Sequence, residues 1–200
     1  MMFSVEHNIS RKRSKSCMIV WAMVELMRNP MVMRKAQEEL RTIIRDKSFI
    51  EEEDLPKLEY FRVVVKETFR LQLTDPLLIL RETFEKCRIQ RYDILPKTLL
   101  VLNVWQLVEI LNLGISQKRL CLKGRDFKLI PFRAGRRICP GMILGVATFE
   151  IALANLLYSL DWELPSSLKK EDIDYDVVPG IAMHKKNPLC LMAKKFSPKI

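Results

Sequence analysis

Phe132-Arg133-Ala134-Gly135-Arg136-Arg137-Ile138-Cys139-Pro140-Gly141 is the stretch from which the fold is read. It is a glycine-containing, arginine-rich loop. The most apolar long run of the chain, Met142 to Leu160, follows it directly. That run predicts a long helix whose positive end lies at the loop. Three arginines and a helix N-terminus near one cysteine favour thiolate over thiol. A thiolate in such a setting serves either as a nucleophile or as a metal ligand.

A nucleophile needs a base. The two histidines are His7 and His184, and neither has a sequence context that argues for a catalytic pair. A structural zinc needs about four ligands, and no other cysteine is close in sequence. A lone cysteine can instead be the proximal ligand of haem iron. Phe132, Gly135, Arg137, Cys139 and Gly141 stand at the spacing FxxGxRxCxG. That spacing resembles the haem-binding signature of the cytochrome P450 monooxygenases. The resemblance implies that Cys139 is the axial thiolate and that Phe132 packs beside it. It implies that Gly135 permits the bend under the haem, that Gly141 permits close approach of the next helix, and that Arg137 pairs with a propionate. Arg133 departs from the pattern: relatives commonly carry glycine there. A long charged side chain at that position either clashes or points to solvent.

Upstream, Lys66-Glu67-Thr68-Phe69-Arg70 contains ExxR. By itself Glu67 with Arg70 is an ordinary i,i+3 ion pair. In this order it resembles the helix pair that supports the family's cysteine-side core. Leu73 to Glu82, LTDPLLILRE, resembles the stretch that follows in plant microsomal members, with Leu80 in place of a second proline. By that resemblance Leu77, Leu78 and Ile79 line the substrate pocket, and Arg81 is a second propionate contact. Ordinary strand core is the competing reading of the three apolar residues. Gly180, Ile181 and Ala182 resemble the tip of a C-terminal hairpin in which Ile181 and Ala182 touch substrate. His184 then reads as a loop histidine, and no residue is assigned a catalytic role.

Around these motifs the chain reads as one domain. Its 200 residues are 48% hydrophobic, enough for a core. Residues 1–16 read as a basic, disordered arm and 17–200 as the haem-thiolate domain. Helices are predicted over Cys17–Met27, ended by Asn29-Pro30, over Val32–Arg45 with Val32, Ala36, Leu40 and Ile43 as its apolar stripe, and over Leu58–Leu71 with Phe61, Val64, Val65, Thr68 and Phe69 on one face. Strands flank Pro96-Lys97, and a hairpin is expected around Lys185-Lys186-Asn187-Pro188. Five widely spaced cysteines without a CxxC pair indicate free thiols. The formal charge of +10 suits an anionic partner. No nucleic-acid motif accompanies it, so no nucleic acid is expected. No transmembrane span is expected, because Met142 to Leu160 contains Glu150 and Asn155 and reads as a buried helix.

The resemblance implies a mainly α fold with small β hairpins: the C-terminal portion of the cytochrome P450 fold, incomplete. It implies haem b, an NADPH-dependent reductase, a small hydrophobic organic substrate, and the cytosolic face of the endoplasmic reticulum membrane. Two departures support an alternative. Arg11 to Met18, RKRSKSCM, stands where the family's oxygen-activating acid and threonine are expected. Residues 106–125 lack the expected proline-containing meander, whose arginine joins Glu67 and Arg70. The expectation for this chain is therefore a truncated, anchorless product, cytosolic or unstable, catalytically inactive and with weak or no haem binding.

Overall fold

The computed structural model describes residues 2–4, 13–45, 47–104, 106, 131–133, 135–180 and 182–197. The Asn29-Pro30 pair divides the first two helices. Asn29 closes α1 (Arg13–Arg28) by donating its backbone N–H to the Glu25 carbonyl at 3.0 Å. Pro30 then opens α2 (Pro30–Ile43), where a missing N–H removes no bond. A 3-10 turn over Glu52–Lys57 leads into α3 (Glu59–Leu71). The fourth helix, α4 (Met142–Ser159), starts two residues after Pro140.

These helices enclose the core. Ala22, Met23 and Val24 of α1, Ala36 and Leu40 of α2, Phe61 and Val65 of α3, and Leu153 and Leu157 of α4 are all fully or almost fully buried. The predicted face of α3 is the one buried. The stripe of α2 differs from expectation: Met33, Ala36, Gln37 and Leu40 face inward, Val32 is half-buried and Ile43 is exposed. Gln37 accounts for the difference. It takes an inward position because its amide donates to the carbonyls of Leu157 at 3.3 Å and Leu160 at 3.0 Å. Arg41 adds three bonds to the same helix end: Nε to Tyr158, and Nη2 to Leu157 and Leu160, each 3.2 Å. Of the last carbonyls of α4, which no helical N–H can reach, those of Leu157 and Tyr158 are thus satisfied from α2, while Trp162 bonds that of Leu156 and Phe196 that of Ser159.

α4 also corrects the sequence reading. Only Phe149, Leu153, Ala154 and Leu157 are buried, while Ile143 and Leu144 are 79% and 65% exposed. By length and composition the helix could cross a membrane, yet its second half packs on α1, α2 and α3. Its polar residues have protein partners. Asn155 exchanges bonds with the backbone of Ile50, at 2.8 and 3.0 Å. Burial pushes the Glu150 carboxyl up, and Arg62 and Lys66 of α3 oppose that.

The strands are short. β1 (Met2–Ser4), β9 (Cys190–Lys195) and β6 (Leu160–Glu163) form an antiparallel sheet in the order β1-β9-β6. The expected disordered arm therefore contains a strand and, from Arg13, the start of α1; its register is set by pairs such as Phe3 with Leu191. β2 (Arg81–Glu82) pairs with β5 (Leu99–Leu100), and β3 (Cys87–Ile89) with β4 (Tyr92–Ile94). The C-terminal hairpin is β7 (Val177–Val178) against β8 (His184–Lys185), so its turn is at 179–183 rather than at Lys185–Pro188. Lys185 cannot occupy an exposed turn because its Nζ is buried, held by the Asp174 carboxylate at 2.7 Å and the Asp174 carbonyl at 2.9 Å. The residues after it carry the chain from β8 to β9.

Candidate functional site

The cysteine loop is closed by its own backbone. Cys139 N–H donates to the Phe132 carbonyl at 2.9 Å, and Ile138 N–H to that of Gly135 at 3.2 Å. The Cys139 carbonyl accepts the N–H of Met142 at 3.2 Å, joining the loop to α4. Gly135 has φ +71°, in the left-handed region that glycine enters without penalty. Arg133 has φ +68°, a left-handed backbone conformation that a glycine would adopt more readily. Its side chain neither clashes nor extends fully to solvent; it is half-buried, and its charge reaches Asp75. At Gly141 a methyl group would stand 4.0 Å from Cys139 Sγ. That is ordinary van der Waals distance, so the spacing at Gly141 alone does not demand glycine. The side chain of Arg137 lies outside the described residues.

Phe132 anchors the loop on the helical core. Its ring meets Phe69 at 5.3 Å between centroids, and Phe69 meets Phe149 at 5.2 Å. One aromatic chain therefore links the cysteine loop, α3 and α4. On α3, Glu67 and Arg70 form a two-point pair: Nε to Oε2 at 2.8 Å and Nη2 to Oε1 at 2.5 Å. The bonded carboxylate holds the Arg70 guanidinium above its ordinary pKa. The segment 107–130, where the expected third arm would fall, lies outside the described residues.

Beyond α3 the chain is fixed by backbone bonds. The Thr74 carbonyl accepts Met183 N–H at 2.7 Å, and that of Pro76 accepts Val104 N–H at 2.8 Å. Leu77 and Ile79 are 50% and 59% exposed, and Leu78 is half-buried with φ +54°. Ala182 is half-buried on the hairpin tip; Ile181 lies outside the described residues. The tip is held twice at Met183, since its carbonyl also accepts the Cys17 thiol at 2.9 Å. Burial pushes the Cys17 thiol up to about 11. Sequence reading misses this junction of Cys17, Thr74 and Met183. Two of its three bonding partners are backbone groups, which leave no residue-type signal.

Arg81 tests whether the site fits a haem. Its Nε is buried and has no hydrogen-bond partner among the described residues. A buried donor left unpaired costs about 1–3 kcal/mol, and a propionate is an acceptor of the matching charge. A sulfur ligand at Cys139 and an arginine whose Nε is buried and unpartnered among the described residues are groups of the kinds that suit haem iron and a propionate.

The cytochrome P450 family model matches residues 15–109 and 116–192. The chain belongs to the cytochrome P450 family. The break in the match, at 110–115, falls within the stretch 106–125. The relatives of this cytochrome P450 include plant proteins. Strychnine-11-hydroxylase of Strychnos nux-vomica is 45% identical over 90% of the chain, and 5-OH-xanthotoxin synthase of Pastinaca sativa is 44% identical over 92%. Cytochrome P450 71A1 of Persea americana is 44% identical over 88% of the chain. The chain spans 37%, 39% and 37% of the length of these three relatives.

Proposed function

We propose that this chain forms the cysteine-side half of a haem-thiolate monooxygenase site that inserts one oxygen atom from O₂ into a small hydrophobic plant metabolite. The observation that carries the reading is the Cys139 loop, tied to Phe132 by its backbone and to α3 and α4 by aromatic contact. Cys139 supplies the axial thiolate. Arg81 and Arg137 take the propionates, Phe132 packs beside the sulfur, and Gly135 and Gly141 keep side chains out of its approach. Glu67 and Arg70 position the α3 side of this floor. Leu77, Leu78, Ile79, Ile181 and Ala182 contribute apolar contacts to substrate. Haem b, when bound, supplies oxygen activation. The reading includes an NADPH-dependent reductase as electron donor and the cytosolic face of the endoplasmic reticulum membrane as the location.

A second reading has its own observation. Arg11 to Met18 contains neither an acid nor a threonine, so these residues provide no proton donor of the expected kind. On that reading the chain binds haem without turnover. One preparation tests both. The chain is expressed with haem supplied, reduced, exposed to carbon monoxide and scanned for the thiolate-type Soret band. The band is expected, and Cys139→Ser is expected to abolish it while shifting the stability of the haem-free chain by less than about 0.5 kcal/mol. No haem uptake would sink both readings, and substrate turnover with reductase would sink the second.

A further inference from the structure

The connector that leaves α2 exposes two large apolar side chains. Ile43, the last residue of α2, is 43% exposed and Phe49 is 57% exposed, whereas their neighbours Ile44 and Ile50 are buried. Arg45 and Ser48 lie between them and are exposed as well. Neither the core nor the cysteine loop uses these four side chains. Arg45 donates its Nε to the Thr42 carbonyl at 3.1 Å and pairs with no carboxylate among the described residues. The Ser48 hydroxyl has no hydrogen-bond partner among them.

The order of the four residues carries chemistry. With Ser48 as position 0, Arg45 stands at −3, Ile43 at −5 and Phe49 at +1. Basophilic serine/threonine kinases read this arrangement. An acidic groove takes the −3 arginine through charge-assisted bonds, and apolar pockets on either side take the −5 and +1 side chains. Among the serines and threonines whose side chains are described, Ser48 alone has arginine at −3. Thr68, Thr83, Thr98 and Thr148 donate instead to backbone carbonyls. Ser14 and Ser16 also have arginine at −3, but lysine and cysteine follow them in place of a large apolar residue.

A kinase binds its substrate extended, so the connector must open locally. Three of its carbonyls and one N–H are held by α4. The Tyr158 hydroxyl reaches the carbonyls of Ile44 at 2.6 Å and Lys47 at 2.7 Å, and Asn155 bonds both backbone groups of Ile50. One phenol O–H serves two carbonyls, and it can donate to only one of them at a time. Helix ends fray. Unwinding the end of α2 extends Ile43 to Phe49 and leaves the Asn155–Ile50 anchor in place.

We infer that Ser48 is a phosphorylation site for a basophilic serine/threonine kinase. In that step Ser48 Oγ attacks the γ-phosphorus of ATP and the bond from that phosphorus to the bridging oxygen breaks. ADP leaves, and the hydroxyl proton passes to the catalytic base of the kinase. No haem is needed for it.

The test incubates the full chain with a calcium/calmodulin-dependent protein kinase and magnesium ATP, and maps phosphate by tandem mass spectrometry. Phosphate is expected at Ser48. Ser48→Ala is expected to remove that signal, and Arg45→Gln to slow its appearance about tenfold, the worth of one charge-assisted contact. Both substitutions are at exposed positions and leave the urea midpoint close to the parent's. Phosphate confined to Ser14, Ser16 or other hydroxyls, no incorporation, or an Arg45→Gln rate equal to the parent's would overturn the inference. Phosphorylation of a peptide spanning residues 40–52 but not of the folded chain would overturn it equally, because the connector is then closed to the kinase.

Discussion

The helical core and the segment from Gln72 to Val104 differ in how they treat apolar side chains. In the core, Phe61, Val65, Leu40, Leu153 and Leu157 close on one another. In the segment, Leu77, Ile79, Leu80, Leu95, Leu99, Val101 and Leu102 are all exposed. Two-stranded pairs such as β2–β5 and β3–β4 are marginal without a third strand or a packed helix. The core is stabilised by its own side chains. The segment is ordered by a few backbone bonds and leaves its apolar side chains exposed.

Four outcomes would sharpen or break this contrast. Phe61→Ala is expected to destabilise the chain by about 3–5 kcal/mol, measured by urea unfolding; a loss below about 1 kcal/mol would remove the core from its assigned role. Glu67→Gln leaves Arg70 with a weaker partner in a pair whose side chains are 23% and 19% exposed. A loss of about 2 kcal/mol is expected, below the fully buried case because water still reaches the pair. Equal unfolding midpoints for variant and parent would contradict it.

The third outcome concerns acid. Lys47 and Lys57 hold the Asp54 carboxyl down at about 2, from an ordinary 3.8. The folded value is below the unfolded one, so the contribution is complete above the unfolded value and disappears as pH falls through the folded value. Asp54→Asn should flatten the acid limb of the stability curve within that window, and an unchanged limb would place the acid sensitivity elsewhere. The smallest effect is expected at Leu99→Lys on the exposed segment, within about 0.5 kcal/mol of the parent. A large loss there, read in the same unfolding assay, would mean that the segment is packed in solution.

The contrast also explains what is legible in the sequence. α3 can be read residue by residue because each apolar letter on its stripe is buried. α2 cannot, because Gln37 occupies a core position on the strength of two carbonyls more than a hundred residues away. The composition of α4 suggests a wholly buried helix, but composition does not tell which side meets a neighbour. At the site, the five-position cysteine pattern is legible because side-chain chemistry dictates it. Arg133 is ambiguous in sequence and becomes interpretable through its φ and the neighbouring Asp75. The Cys17–Met183–Thr74 junction stays hidden because a carbonyl acceptor looks the same in every residue.

The bonds from Gln37 and Arg41 to the end of α4 have a meaning in chain entropy. Arg41 and Tyr158 are 117 positions apart. Closing so long a loop is slow to search for, yet the closure term grows only logarithmically, by about 0.6 kcal/mol for each doubling of length. Lengthening or shortening the connection between the two halves by several residues therefore changes the stability of their pairing very little. The core can retain its architecture while the sequence that joins its halves departs from the family pattern.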